Sequence, residues 1–81
     1  MLQPRITSLE PLPNYCLKLT YETGEIKEFD VKPYIKGSFY SQLAKESYFR
    51  SVRIVRNGNG IEWPNGQDMA PHELYFPLLG S

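Results

Sequence analysis

Hydrophobic and polar residues alternate most clearly along residues 14–21, where Tyr15, Leu17, Leu19 and Tyr21 share one face. A period of two over this length predicts a half-buried β-strand. The segment 22–25 contains Gly24 and predicts a short turn, after which residues 26–31 return as the partner strand of a hairpin. Ile26 is out of phase with Phe29 and Val31. This mismatch predicts a β-bulge near the turn.

The segments before and after this hairpin predict one more strand and one main helix. Residues 5–9 form a first strand that Pro11 and Pro13 would stop. Residues 39–47 carry an apolar stripe at helical spacing, with Ser38 placed to cap the helix. Such a short helix must dock on a sheet, because it would not be stable alone.

The last third of the chain predicts a second hairpin and a terminal helix. Residues 51–55 and 61–63 form its strands, joined by a turn rich in Asn and Gly at 56–60. Pro71 suits the first position of a helix that Pro77 would end. The apolar tail 78–81 would pack or contact a partner.

The element order is therefore β-β-β-α-β-β-α over one domain, residues 1–81. Antiparallel hairpins with one main helix packed on one face define an α+β fold. Eighty-one residues support one thin core and no deep substrate cavity.

Charge and cysteine content narrow the classes of function. Nine basic and nine acidic residues cancel, which argues against a general nucleic-acid binder and against a protein that binds anionic membranes. Cys16 is the single cysteine, so no internal disulfide forms. No signal peptide or apolar span is apparent, and we expect a cytoplasmic protein.

Several segments, in their order and spacing, resemble a bacterial family catalogued as domain of unknown function 2442. The most specific of them is Trp63-Pro64-Asn65-Gly66-Gln67-Asp68. The resemblance covers roughly residues 5–76. The other matching positions are residues 29–35, residues 37–39 with Leu43, Phe49, Pro71, and Leu74 with Tyr75.

The resemblance implies a small α+β domain with an antiparallel sheet. The family has no established activity, so the resemblance transfers no catalytic residue. Some longer members resemble this domain followed by a helix-turn-helix DNA-binding domain. The residues up to Ser81 contain no such second domain, so the resemblance does not transfer DNA binding. Stand-alone members are often encoded beside another small protein, an arrangement similar to a toxin–antitoxin or regulatory pair.

The Trp63–Asp68 segment has two interpretations. As a contact, it offers the area of an indole ring and free backbone groups. As structure, it is a strand end followed by a tight Asn-Gly turn, with Asp68 accepting backbone N–H bonds in the loop or at the start of the last helix. The structural interpretation is favoured.

Candidate catalytic groups are sparse. His72 with Asp68 and Glu73 could form an acid–base pair, and Lys18 could activate Cys16. His72 has no second His or Cys with which to complete a metal site. Cys16 has no oriented base nearby in sequence. We therefore predict no catalytic residue, cofactor or metal.

Two further groups of side chains suggest contact surfaces. Arg50, Arg53 and Arg56 could form a basic patch, although Arg53 faces away from the other two in a strand. The tyrosines could equally form an exposed partner surface or contribute to the core; they are Tyr34, Tyr40, Tyr48 and Tyr75.

These observations favour a non-enzymatic module that binds a protein partner or forms a homo-oligomer, similar to an antitoxin or regulatory partner. The alternative is a regulatory module linked to a small ligand or to nucleic acid, and an enzyme is the least favoured class. The predicted contact surface consists of Trp63, Asn65, Asp68, Pro71, Leu74 and Tyr75.

Overall fold

The computed structural model describes residues 3–76, which form two three-stranded antiparallel sheets connected by single helical turns. The first sheet has the order β1-β2-β3, with β1 at Ile6–Leu12, β2 at Cys16–Tyr21 and β3 at Ile26–Asp30. The second has the order β4-β5-β6, with β4 at Arg53–Ile54, β5 at Ile61–Glu62 and β6 at Asp68–Met69. This arrangement confirms the predicted α+β class.

The described residues contain seven helical turns, six of them between strands and the seventh, α3, after β6. The α-helices are α1 at Gly37–Tyr40, α2 at Glu46–Phe49 and α3 at Pro71–Tyr75. The 3₁₀ turns are Pro13–Tyr15, Lys32–Tyr34, Ser41–Ala44 and Arg56–Gly58. The predicted helix end at Pro77 and the tail 78–81 lie outside the described residues. Within residues 3–76, no helix is long and apolar enough to cross a membrane.

The hairpin of β2 and β3 has the predicted alternation. Leu17, Leu19 and Tyr21 are buried, and Gly24 in the connecting turn has a φ of +91°. The predicted bulge near this turn is wrong, because the register runs without a break from the Cys16–Asp30 pair to the Thr20–Ile26 pair. Ile26 is out of phase because its side chain faces solvent, where it is 59% exposed.

β1 is longer than predicted and passes through Pro11, which pairs with Leu17. A proline is tolerated here because β1 is an edge strand, where the missing N–H can point away from β2. The register of β1 against β2 shifts between Ile6 and Ser8. The irregularity expected in the hairpin therefore lies in this strand.

The single helix predicted at 39–47 is wrong, since α1, a 3₁₀ turn and α2 occupy this region. Lys45 is extended, with ψ at 117°. Leu43 and Phe49 are both buried, but residues six apart lie on different faces of a continuous helix. The break at Lys45 lets both side chains enter the core. Ser38 lies inside α1 rather than at its cap.

The two sheets share one core. Its buried apolar residues are Ile6, Leu17, Leu19, Tyr21, Phe29, Val31, Leu43, Phe49, Ile61, Trp63, Met69 and Leu74. The turn between β4 and β5 lies close to β1 at Gly58, where an added Cβ would lie 2.6 Å from the Ile6 carbonyl oxygen. The turn that holds Gly58 confirms the predicted second hairpin, although β4 spans only two residues and β6 was not predicted.

Candidate functional site

The Trp63–Asp68 segment forms a tight turn between β5 and β6. The Trp63 N–H donates to the Gln67 carbonyl at 2.8 Å, and the Gly66 N–H donates back to the Trp63 carbonyl at 2.9 Å. Gly66 has a φ of +100°, which favours glycine because it has no Cβ. The predicted Asn-Gly turn is confirmed.

Trp63 is part of the core. Its side chain is 0% exposed, its ring packs against Phe49, and its indole Nε1 donates to the Phe49 carbonyl at 2.9 Å. The apolar surface of the indole is therefore buried in the core, and its N–H group has a hydrogen-bond acceptor there. Trp63 cannot contact a partner while the domain is folded, so the predicted surface must be corrected at this position.

Gln67 is the residue that the sequence analysis missed. Its side chain is 0% exposed and is fully engaged. The Tyr48 hydroxyl donates to its Oε1 at 2.6 Å, while its Nε2 donates to the Phe39 carbonyl at 2.8 Å and to Gln42 Oε1 at 2.9 Å. These bonds tie the turn to the helical segment 37–50. No hydrophobic pattern signals such a residue, because its burial depends on partners distant in sequence.

Asn65 is exposed but does not have free polar groups. Its backbone N–H donates to the Tyr48 hydroxyl and its Nδ2 donates to Gln42 Oε1, both at 2.8 Å. It lines an open groove of about 670 Å³ together with Ser, Gln, Lys, Tyr and Pro side chains. The polar groups of Asn65, Gln42 and Tyr48 that line this groove are therefore already hydrogen-bonded to one another.

Asp68 does not have the predicted role as a backbone acceptor. Its carboxylate lies 3.7 Å from the Arg56 guanidinium, and Arg53 lies 3.3 Å from Glu62. Two of the three arginines of the predicted basic patch therefore face carboxylates. This arrangement gives the nucleic-acid alternative no support.

Helix α3 begins at Pro71, as predicted, and directs Leu74 into the core. Leu74 therefore leaves the predicted contact surface, as Trp63 does. His72 is exposed, with its ring centroid 5.0 Å from that of Phe76. Glu73 accepts a hydrogen bond from the Tyr34 hydroxyl. The described residues contain no group of three or more potential metal ligands.

Cys16 is half-buried at the start of β2. Its Sγ lies 3.7 Å from the Asn14 carbonyl oxygen, and its neighbours across the sheet are Leu12 and Asp30. The Asp30 carboxylate accepts a hydrogen bond from the Lys32 N–H and pairs with the Lys32 ammonium at 3.0 Å. A reactive thiolate therefore gains no support from the geometry.

The hydroxyl groups of the four candidate tyrosines all have intramolecular partners. Tyr34 binds Glu73, Tyr40 binds the Asp68 carbonyl at 3.3 Å, Tyr48 binds Gln67, and Tyr75 binds Glu25 at 2.6 Å. Each ring is half-buried. These tyrosines therefore link distant segments of the fold by hydrogen bonds, and each also leaves part of its ring accessible at the surface.

Tyr34 and Tyr40 border a depression of about 290 Å³, which we call the α3 depression. Its apolar part comes from Met69 and Ala70, and carboxylates flank it. The exposed ring of Phe39 packs edge-on against Tyr40 at 5.4 Å. The lining residues are Tyr34, Tyr40, Asp68, Met69, Ala70 and Glu73.

A second aromatic cluster holds the end of α3 against the β2–β3 hairpin. Tyr75 packs edge-on against Tyr21 at 5.1 Å, and the ammonium of Lys27 lies 4.3 Å above the Tyr75 ring. Burial raises the pKa of Tyr21 to about 12, and the charges of Tyr75 and Glu25 add to this shift. A hydrogen bond to Glu25 raises the pKa of Tyr75.

We expect Tyr21→Phe to change the alkaline stability of the domain. The folded pKa lies above the ordinary value of 10.0, so stability is present below pH 10 and falls as the pH rises through 12. The loss amounts to about 2–3 kcal/mol. Urea titrations at increasing pH should show a shallower loss for the variant.

The same variant should be no less stable at neutral pH. The Tyr21 hydroxyl is buried and has no hydrogen-bond partner in the described part of the chain. Removing it should leave stability unchanged or raise it by about 1 kcal/mol. Equal alkaline slopes for both proteins, or a neutral-pH loss, would contradict this account of Tyr21.

Comparisons with known proteins agree with this architecture. A family model described as "Protein of unknown function (DUF2442)" matches residues 6–80. A crystal structure of a protein of unknown function from Rhodospirillum rubrum ATCC 11170 is similar, with a TM-score of 0.72, 18% identity, and coverage of 99% of this chain and 94% of that chain. At this identity, the likeness shows the fold alone. No curated protein matches the sequence.

Proposed function

The chain belongs to the DUF2442 family of proteins of unknown function, and we propose that it acts without catalysis, as a module that binds another protein. The supporting observation is the α3 depression, which joins half-buried tyrosine rings, a small apolar floor and carboxylates at the surface. Tyrosine is enriched in protein interfaces because it combines area with a polar tip.

The size of the α3 depression favours a side chain over a free small molecule. Its volume of about 290 Å³ is at the lower limit of the roughly 300–1,000 Å³ that ligand pockets occupy. One side chain of a partner would fill it, with Phe39 beside the entrance as an exposed aromatic contact. Both lining carboxylates already have partners, Arg56 for Asp68 and Tyr34 for Glu73, so the contact that we propose is mainly apolar and aromatic.

The contact surface that we propose replaces part of the sequence prediction. Asp68 stays in it as a lining residue of the α3 depression, and Pro71 follows directly at the start of α3. Asn65 and Tyr75 lie outside the α3 depression and are hydrogen-bonded within the fold. Both remain accessible, so they stay in the predicted surface as peripheral contacts. The partner class favoured by the family resemblance is a small protein encoded beside this one, as in an antitoxin-like or regulatory pair.

A pull-down with a matched pair of variants tests the proposal. Ala70 is exposed in the depression, so Ala70→Arg should fill it and reduce capture of the partner by roughly tenfold or more. Ser8→Arg adds the same side chain at an exposed position on β1 and should leave capture unchanged. The bait is the tagged domain in native lysate, followed by co-expression with the protein encoded beside it.

Circular dichroism must first show that both variants are folded. Recovery of the bare domain from lysate and from co-expression would overturn the proposed function. Equal capture by both variants would keep a partner but remove the α3 depression from its interface. A saturable thermal shift with small molecules, abolished by Ala70→Arg, would instead support the ligand-linked alternative.

A further inference from the structure

The hydrogen bonds of β3 show which of its backbone groups face outward. The Tyr21 N–H donates to the Glu25 carbonyl at 2.8 Å, and the Val31 N–H donates to the Tyr15 carbonyl at 2.9 Å. In an antiparallel pair, alternate residues direct both backbone groups toward the partner strand. The N–H and C=O groups of Ile26, Glu28 and Asp30 therefore point away from β2.

This outer edge of β3 is unpaired within the described part of the chain. β3 ends the strand order of the first sheet and pairs with β2 alone. Proteins often protect an edge with a proline or a bulge. The opposite edge strand, β1, has both, through Pro11 and the register shift near Ile6. β3 has neither a proline nor a register shift, so its backbone keeps the geometry to pair with another strand. Its charged side chains, Lys27, Glu28 and Asp30, restrict which strand can pair there.

Ile26 adds an apolar contact at this edge. It is the most exposed of the large hydrophobic residues described, at 59%, and it neighbours Thr20 on β2. A strand added beside β3 would place one of its side chains next to Ile26, at the cross-strand distance where apolar pairs interact. The Ile26 side chain, which lies outside the core of this molecule, would thus be covered in an intermolecular sheet.

Charge determines which strand this edge accepts. Glu10, Lys18 and Glu28 form a row across the outer face of the sheet, because Lys18 pairs with both acids. The next position in that row, opposite Glu28, suits a basic side chain. A second copy overlapping the whole of β3 in antiparallel register would place Glu28 opposite its own copy, which is unfavourable.

We propose that the β3 edge accepts an extended segment of a partner protein as a fourth strand, with a basic residue opposite Glu28 and an apolar residue beside Ile26. The backbone groups of Ile26, Glu28 and Asp30 supply the hydrogen bonds, as in other cases of strand addition. This surface is separate from the α3 depression, and the proposal does not depend on it.

The test uses amide NMR of the full chain with a short peptide that carries arginine and valine two residues apart on one face, so that arginine can lie opposite Glu28 while valine lies beside Ile26. Saturable shifts and slowed exchange should appear at the Ile26, Glu28 and Asp30 amides. A peptide with glutamate in place of arginine should bind much more weakly. No shift at millimolar peptide, or shifts mapped to other strands, would overturn the proposal.

Three variants localise the effect. Glu28→Pro removes an outward N–H without removing a bond to β2, and it should abolish binding. Glu28→Lys should weaken the arginine peptide by roughly tenfold, since an attraction becomes a repulsion, and should improve binding of the glutamate peptide. Glu10→Lys makes the same charge reversal two strands away and should have little effect.

Equal losses in Glu28→Lys and Glu10→Lys would show that net charge alone governs binding and would overturn the edge assignment. Concentration-dependent dimerisation that Glu28→Pro abolishes would identify a second copy as the occupant and also contradict the proposal. The pull-down with Ala70→Arg uses a different surface, so each proposal can fail without the other.

Discussion

Trp63→Ala should destabilise the domain by about 3–5 kcal/mol, the range for removing a large buried aromatic side chain. Trp63 is 0% exposed, packs against Phe49 and donates its indole N–H to the Phe49 carbonyl. The variant therefore loses apolar burial, opens a cavity and leaves a buried carbonyl without its donor. Domains of this size have roughly 4–12 kcal/mol of stability in total.

Thermal and urea denaturation followed by circular dichroism measure this loss, and we expect the melting temperature to fall by more than about 10 °C. Trp63→Phe retains an aromatic ring and should lose clearly less. Phe39→Ala is the surface control, since Phe39 is 45% exposed. A cost below about 1 kcal/mol for Trp63→Ala, similar to the surface control, would show that Trp63 is not a core residue.

Gln67→Leu should cost about 2–4 kcal/mol, although it introduces an apolar residue of similar size into a buried position. The reason is that the Gln67 amide makes three hydrogen bonds to groups that stay behind. The Phe39 carbonyl and Gln42 Oε1 both lose a donor. Urea denaturation at neutral pH measures the cost.

Gln67→Glu separates the hydrogen-bond network from simple packing. Its carboxylate would face the two acceptors on Phe39 and Gln42, so the fold should raise its pKa. The stability of this variant should therefore be highest at acidic pH and fall as the pH rises. Tyr48→Phe removes one hydroxyl from the same network and should cost less than Gln67→Leu. Full stability of Gln67→Leu would show that the network is dispensable.

Much of the fold could be predicted from local pattern. The alternation at Leu17, Leu19 and Tyr21 defined β2, and Gly24 marked its turn. Pro71 marked the start of α3, and the Asn-Gly pair marked the turn before β6. In each case, the chain segment itself carries the conformational preference, so the pattern was sufficient.

The features that the sequence did not predict depend on contacts between distant segments. The break at Lys45 arises because Leu43 and Phe49 must both reach the core. Gln67 is buried because Tyr48, Gln42 and the Phe39 carbonyl surround it. Neither fact can be inferred from spacing along the chain.

The exposure of the residues in the predicted contact surface could not be read from the sequence, for the same reason. Trp63 and Leu74 have the composition of contact residues, but their burial removes them from the surface. Asp68 is exposed, and its partner is Arg56 rather than a backbone N–H. The α3 depression brings Tyr34 and Tyr40 beside residues about 30 positions further along, which only the folded chain can do.

The helices of the described chain are each four or five residues long, which has a consequence for how the domain folds. A single turn does not repay the entropy of helix nucleation in water. The helices must therefore form after, and because of, the collapse of the chain onto the sheet of β1, β2 and β3, whose two local pairings are the longest in the described chain. Bringing the second sheet and the helices onto this first sheet then requires loop closure, which adds an entropy cost to folding.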